Sequence, residues 1–254
     1  YTIDVYNRKV EAEKNLSQFA LYVSFFPQLV AGPIERYSAL APQFKSVFKL
    51  TKTNLSNGFR LMLYGLFMKM VVADNIGIVV DETYNNIGDT NSLNLMLSAV
   101  LYSFQIYCDF SGYSDIAIGT AKMFGVELRS NFIFPYFSRD ISEFWRRWHV
   151  SLSSWFRDYI YIPLGGSKNG KWVSIRNIFI IFIISGFWHG ANFTFIAWGS
   201  IHSVLYLALV LSNKNRRYLT SIVSKNRAVP TFIELYQISI TFFMVTISWV
   251  FFRS

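Results

Sequence analysis

The stretch NIFIIFIISGFWHGANFTFIAWGSIHSVLYLALVLSN, residues 177–213, decides the fold class of this sequence. Its 37 consecutive positions contain no Asp, Glu, Lys or Arg. As one helix it would be about 55 Å long, whereas a single membrane pass needs only about 20 apolar residues. The stretch therefore predicts either two passes or a re-entrant element followed by one pass.

Three other regions are long and free of charge, 15–34, 90–108 and 235–252; a fourth region, 58–80, is largely apolar but contains Arg60, Lys69 and Asp74. In chain order these regions are 15–34, 58–80, 90–108 and 235–252. The second and third are predicted to form a helical hairpin, and the last a single span. The first is interrupted by Pro27, Gly32 and Pro33, so a broken or re-entrant segment and a clean span both stay open there. The predicted fold class is an all-α, polytopic helical membrane protein.

The composition agrees with a bilayer as the solvent. Hydrophobic residues make up 52% of the chain and charged residues 15%, against about 25% charged in soluble domains. The net charge of +9 is compatible with nucleic acid or with an anionic membrane leaflet, and the apolar runs between basic clusters favour the membrane. The single cysteine, Cys108, excludes an internal disulfide and a cysteine-based zinc site, and no metal site is predicted.

The charge of the connecting segments predicts the topology, because positive residues near membrane spans tend to stay in the cytoplasm. Residues 36–60 and 214–227 contain five bases each and no acid, and residues 139–176 contain seven bases against three acids. Residues 81–91 contain three acids and no base. We therefore expect 81–91 to lie outside and the three basic segments to lie inside, with an even number of passes through 177–213.

Residues 144–166, FWRRWHVSLSSWFRDYIYIPLGG, have the spacing of an amphipathic helix at the cytoplasmic interface. Two interpretations stay open from the spacing. In the first, the segment is only a membrane-surface anchor. In the second, Arg146, Arg147 and Lys168 bind a phosphate-bearing acyl donor, because guanidinium groups pair with phosphate in a bidentate manner.

His189 lies about midway along the uncharged stretch, with Gly190 and Asn192 beside it. An ionisable side chain at membrane depth is a candidate functional group, and a neutral imidazole accepts a proton from a hydroxyl, as acyl transfer to an alcohol requires. A hydrogen-bonded histidine in a helix interface is an equally open interpretation. His202 is 13 residues further on, and we expect it to be structural.

A third segment, YCDFSGYSDIAIG at 107–119, contains Asp109 and Asp115 around a Ser-Gly-Tyr-Ser sequence. Gly112 and the serines predict an unwound turn. The carboxylates are candidates to orient a histidine or pair with an arginine, and a helix cap is the other interpretation of Asp115. Cys108 is expected to be a small packed residue.

These segments, together with FFPQLVAGPIER at 25–36, resemble the membrane-bound O-acyltransferase family, and within it the bacterial alginate O-acetylase branch. The motifs occur in the family's order over nearly the whole sequence. The resemblance implies that His189, in the Trp188-His189-Gly190 position, is the catalytic histidine and that His149 supports it. Asp109, Asn192 and Trp188 are the expected supporting residues.

The resemblance also implies the reaction and its partners. The protein is expected to be a multi-pass enzyme of the bacterial inner membrane that moves an acetyl group from a cytoplasmic donor to an alginate-like surface polysaccharide. The donor is expected to be acetyl-CoA or another acyl thioester, with no bound cofactor, and an extracytoplasmic acetyltransferase is the expected partner. D-alanyl transfer to teichoic acid and a non-catalytic transporter or channel subunit are the alternatives.

Family members are considerably longer than this sequence. Residues 1–254 therefore read as a single membrane-embedded acyltransferase domain from the middle and later part of a longer chain, without its first and last helices.

Overall fold

The computed structural model describes residues 1–30, 32–46, 51–219, 223 and 229–253. Within those ranges the chain is helical and contains no β-strand, which confirms the predicted all-α class. The α-helices, in chain order, are α1 (Thr2–Tyr6), α2 (Leu16–Ser24), α3 (Tyr37–Lys45), α4 (Lys52–Leu66), α5 (Asp74–Asn85), α6 (Ser92–Met123), α7 (Ile141–Arg147), α8 (Val150–Phe156), α9 (Lys171–His189), α10 (Phe193–Leu211) and α11 (Phe232–Arg253).

In the described residues, four helical stretches are long and apolar enough to cross a membrane: Lys52–Asn85, Lys171–His189, Phe193–Leu211 and Phe232–Arg253. The first consists of α4 and α5 joined by a π-helical segment, Phe67–Ala73. The predicted spans 58–80 and 235–252 lie inside the first and the last. The uncharged stretch 177–213 supplies two of the four, which confirms its division into two helices.

The other two predicted spans have different outcomes. Residues 15–34 form α2 and a short 3₁₀-helix, Phe26–Gln28, so the interruption predicted from the prolines is present. Ala31, in the same region, lies outside the described residues. Residues 90–108 belong to α6, which is not among the four apolar stretches found in the described chain.

Of the bases on which the predicted topology depends, Lys49, Lys225 and Arg227 also lie outside the described residues.

The chain divides into two compact units. The first comprises Tyr1–Ile78 and Phe104–Asn131, and the second comprises Val79–Ser103 and Phe132–Ser254. The prediction of one membrane-embedded domain stays a prediction.

In the second unit, α9 and α10 form a tightly packed pair because glycines lie where the two backbones meet. A Cβ atom added to Gly186 of α9 would overlap the carbonyl oxygen of Phe195, and one added to Gly199 of α10 would overlap that of Phe182. Small residues permit such close approach between membrane helices, where van der Waals packing replaces the hydrophobic effect. The pairing fixes the end of α9, where His189 lies.

In the first unit, the residues of α4 and α6 pack in the same way, and this corrects the prediction for 107–119. The segment is not an unwound turn but lies inside the continuous helix α6. A Cβ atom on Gly112 would lie 2.7 Å from the carbonyl oxygen of Gly65, so the glycine serves close helix packing. Asp115 lies in the helix interior, so its interpretation as a cap is wrong.

The continuous amphipathic helix predicted for 144–166 is also corrected. α7 ends at Arg147 and α8 begins at Val150, with His149 between them in the left-handed region at φ 42°. Phe144, Trp148 and Leu152, which one continuous helix would place on a single face, are buried in the protein. The apolar face therefore packs inside the second unit, and the interpretation as a simple surface anchor is wrong for these residues.

Candidate active site

His189 is the last residue of α9, and aromatic rings surround its imidazole. Its ring centre lies 4.8 Å from that of Phe252 and 5.4 Å from that of Trp198, both in edge-on contact. Trp188 packs beside it at 5.0 Å. Residues 190–192 connect α9 to α10, so the imidazole lies at the end of the helix pair where the chain turns. It is half-buried there.

The ring nitrogens of His189 are available for hydrogen bonding, as far as the described residues show. In the part of the chain that the structure describes, no hydrogen bond joins either nitrogen to another residue. An imidazole in this state can accept a proton from an incoming hydroxyl group. The sequence left open a second interpretation, in which His189 is hydrogen-bonded in a helix interface. The described residues provide no such hydrogen bond.

His149 lies close to this site at the junction of α7 and α8. Its ring centre is 6.3 Å from that of Trp188, which itself contacts His189. Burial, and secondarily the proximity of His189, lowers the pKa of His149 to about 3. His149 is therefore neutral at physiological pH, and its left-handed backbone is a strained conformation of the kind that clusters at functional sites. The structure brings together the two histidines that the resemblance implied.

Asn192 and Asp109 have identifiable structural roles. Asn192 is exposed, and its side-chain oxygen accepts a hydrogen bond from the Thr194 amide at 3.2 Å, which caps the start of α10. Asp109 belongs to the first unit, where it forms an ion pair with Lys69 at 2.7 Å. Lys69 also pairs with Asp74 at 2.6 Å. The supporting roles that the resemblance implies for these residues stay predictions.

A cavity of about 550 Å³ lies within the second unit. Its walls are mostly apolar and aromatic, and three arginines line it: Arg146, Arg157, whose guanidinium also pairs with Asp158 at 2.8 Å, and Arg216. Arg146 donates from Nη1 to the Ser142 hydroxyl at 2.6 Å. Its other terminal nitrogen, Nη2, is buried and has no hydrogen-bond partner in the described residues. A buried donor without a partner is costly, so this atom is available to an anionic ligand.

Arg147 and Lys168, the other two predicted donor-binding residues, are not among the residues that line the cavity. Arg147 forms an ion pair at 2.7 Å with Glu143, which is 2% exposed. The same carboxylate pairs with Arg139 at 2.9 Å. Lys168 is exposed on the turn before α9. Of the three predicted donor-binding residues, Arg146 therefore lines the cavity, and Arg147 and Lys168 do not.

Sequence reasoning did not assign Arg157, Arg216 or Trp145 to a site, although all three line the cavity. Trp145 and Arg157 lie in the 144–166 segment, whereas Arg216 lies far beyond it, so no single local motif contains all three. The spacing could have predicted these ion pairs, because Glu143 lies four residues from both Arg139 and Arg147, and oppositely charged residues four apart can meet on a helix.

Comparison with known proteins gives a consistent result. The sequence model of MBOAT, the membrane-bound O-acyltransferase family, matches residues 11–251. A probable alginate O-acetylase of Pseudomonas syringae is 41% identical over 254 residues, which cover 100% of this chain and 46% of that protein. The peptidoglycan O-acetyltransferase of Helicobacter pylori is 39% identical over 239 residues, or 93% of this chain and 44% of that protein.

The teichoic acid D-alanyltransferase of Bacillus subtilis is less similar, at 30% identity over 215 residues, or 80% of this chain and 54% of that protein. The chain thus spans about half the length of these curated relatives.

Proposed function

The chain belongs to the membrane-bound O-acyltransferase family, and from this premise we propose that it transfers an acetyl group to hydroxyl groups of a cell-surface or secreted polysaccharide. The multi-pass protein would lie in the bacterial inner membrane and take the acetyl group from a cytoplasmic thioester. The observation that carries this proposal is the imidazole of His189, which has no hydrogen-bond partner among the described residues. It lies in an aromatic recess formed by Trp188, Trp198 and Phe252, beside the neutral His149.

The residues of the site support direct transfer. The acceptor oxygen attacks the thioester carbonyl carbon as His189 takes the hydroxyl proton, the carbon–sulfur bond breaks, and the departing thiolate receives that proton from His189. A neutral His149 adds no positive charge beside this base, so His189 keeps its ability to accept a proton. The mechanism needs no covalent acyl-enzyme.

The cavity supports a donor that combines a phosphate group with a long uncharged arm, as acetyl-CoA does. Its volume of about 550 Å³ lies in the range of small-molecule sites, and its walls suit the uncharged arm. Arg146 Nη2 would bind a phosphate oxygen. Arg157 and Arg216 would add positive charge around the same group.

Similarity favours O-acetylation over D-alanyl transfer as the reaction. The relatives named as O-acetylases are 39–41% identical to this chain, against 30% for a D-alanyltransferase. An alginate-like polymer is our proposed acceptor, and an extracytoplasmic acetyltransferase our proposed partner in delivery.

Deleting the gene should remove acetyl esters from the surface glycan, as measured by mass spectrometry. Unchanged ester content with altered solute flux would support a transporter instead, and loss of D-alanyl esters would support the other transferase reaction.

The proposed donor site predicts that Arg146→Lys raises the KM for acetyl-CoA by about tenfold. Lysine keeps the charge but lacks the planar guanidinium, whose Nη2 has no hydrogen-bond partner among the described residues. The measurement is acetyl transfer by membranes that contain the full-length protein, at several donor concentrations. Arg147→Lys is the matched comparison, because Arg147 pairs with Glu143 rather than lining the cavity, and it should change thermal stability more than KM. Equal KM values for the wild type and Arg146→Lys would argue against donor binding by Arg146.

The proposed orientation predicts opposite labelling of two exposed positions. Ser167 lies in the basic segment assigned to the cytoplasm, and Asn86 lies in the acidic connector assigned to the exterior. In a Cys108→Ser background, a membrane-impermeant maleimide added to whole cells should label Asn86→Cys and not Ser167→Cys. Permeabilised cells should give both signals. The reverse pattern in whole cells would invert the topology and remove the cavity from the donor side.

A further inference from the structure

His202 differs from the other two histidines because both of its ring nitrogens are engaged. It is fully buried in α10, with its ring stacked near those of Phe144 and Phe182. Nδ1 accepts a hydrogen bond from the indole N–H of Trp145 at 3.3 Å. Nε2 lies 2.9 Å from the Ser248 hydroxyl oxygen.

The partners determine which nitrogen of His202 carries the proton. An indole nitrogen only donates, so Nδ1 must present its lone pair to Trp145. Ser248 gives its single hydroxyl proton to the Val245 carbonyl oxygen at 2.7 Å, so it must accept from Nε2–H. The two requirements agree on one neutral tautomer. Protonation of Nδ1 would place two N–H groups against each other, so His202 is unsuited to be the base.

Trp145, the residue to which His202 is hydrogen-bonded, lies between the cavity and the aromatic recess around His189. Trp145 forms part of the cavity wall. Its ring centre lies 5.8 Å from that of Trp198, which in turn lies 5.4 Å from that of His189. His202 also contacts Trp198 directly at 5.0 Å. All of these residues belong to the second unit. Because Trp145 lines the cavity and also contacts Trp198, the orientation of its indole affects both the cavity and the aromatic recess around His189.

We propose that His202 is a positioning residue, whose single neutral tautomer orients the Trp145 indole as a wall of the donor cavity. This inference rests on the proposed function for its effect on the reaction. Its structural content, the orientation of Trp145 by the Nδ1 lone pair, is independent of the identity of the substrate.

The kinetic test compares two replacements of His202 in the full-length protein in membranes, with acetyl-CoA as the donor. Asn retains an acceptor near the position of Nδ1, whereas Leu is apolar and leaves the Trp145 N–H without a partner. We expect His202→Leu to raise the KM for acetyl-CoA by about tenfold, the scale of one lost buried hydrogen bond, with an unchanged pH profile. His202→Asn should restore KM to within about threefold of the wild type.

A double-variant comparison tests whether the effect passes through Trp145. In a Trp145→Phe background, which lacks the indole N–H, His202→Leu should raise KM no further. Ser203→Ala is the control for loss of a buried polar group, since among the described residues the Ser203 hydroxyl bonds only to the carbonyl of Gly199 in its own helix. It should leave KM unchanged. Additive effects of His202→Leu and Trp145→Phe, or equal KM values for the Leu and Asn variants, would overturn the proposal.

A spectroscopic readout separates failure of this inference from failure of the proposed function. The protein is labelled with 5-fluorotryptophan, and the ¹⁹F resonance of Trp145 is identified by its loss in Trp145→Phe. His202→Leu should shift this resonance, and His202→Asn should return it close to the wild-type position. An unshifted resonance in His202→Leu would overturn the positioning role. A wild type that does not use acetyl-CoA would count against the proposed donor while leaving this test valid.

Discussion

Replacing His189 with alanine is expected to lower acetyl transfer by about 10³-fold, because a positioned general base contributes about 10²–10⁴-fold to such reactions. The structure leaves the His189 nitrogens uncommitted among the described residues, so the loss should come from chemistry and not from unfolding. The measurement is the acetyl-ester content of the glycan, together with transfer rates in membranes that contain equal amounts of each variant.

Matched variants make this result interpretable. His149→Ala should also cause a substantial loss, because it opens a buried position beside the base. Cys108→Ser should retain activity, because direct transfer requires no cysteine nucleophile. A His189→Ala protein that accumulates normally and still acetylates at the wild-type rate would remove His189 from the mechanism. Loss of activity in Cys108→Ser would instead point to an acyl-cysteine.

The second large effect is expected at Gly199, on the stability of the fold. Gly199→Ala should lower the apparent melting temperature in detergent by about 6 °C, since overpacking costs about 2 kcal/mol and each kcal/mol lowers the temperature by about 3 °C in a chain of this size. The added methyl group would overlap the carbonyl oxygen of Phe182, and backbone relaxes less readily than a side chain. Gly199→Leu should prevent accumulation of the folded protein.

Gly88→Ala is the control for the glycine substitution. A Cβ atom added to Gly88 has no other atom within 4 Å, so its melting temperature should stay within about 2 °C of the wild type. The readout is fluorescence-detected size-exclusion chromatography after heating. Similar melting temperatures for Gly199→Ala and Gly88→Ala would contradict the close packing of α9 against α10.

The sequence predicted the membrane helices best where one physical effect was dominant. The absence of charge over 177–213, combined with a length too great for one pass, was enough to divide the stretch into two helices. The family resemblance then selected His189 from three histidines. His202 differs from His189 in its hydrogen bonds to Trp145 and Ser248. Both partners are distant from His202 in sequence, so local patterns could not predict these bonds.

The failures have equally specific causes. Periodicity assumes an uninterrupted helix, and no glycine or proline marks the break at Trp148-His149, where tertiary packing imposes a left-handed residue. In 107–119, Gly112 predicted unwinding but serves close packing against Gly65. Arg146 and Arg147 were treated together, although consecutive helical residues point in directions about 100° apart.

The buried carboxylate of Glu143, held between Arg139 and Arg147, restricts the mutational routes open to this chain. Arg139 also pairs with Glu234 at 3.3 Å, so loss of one member unbalances a buried set of four charges, at a cost of up to about 3–5 kcal/mol, whereas replacing such a set together with apolar residues is often neutral. A stepwise search through single substitutions therefore meets a barrier at each of these positions. Libraries for directed evolution of the cavity should hold the three residues fixed or vary them jointly, so that diversity at Arg146 is sampled without losing the helix that presents it.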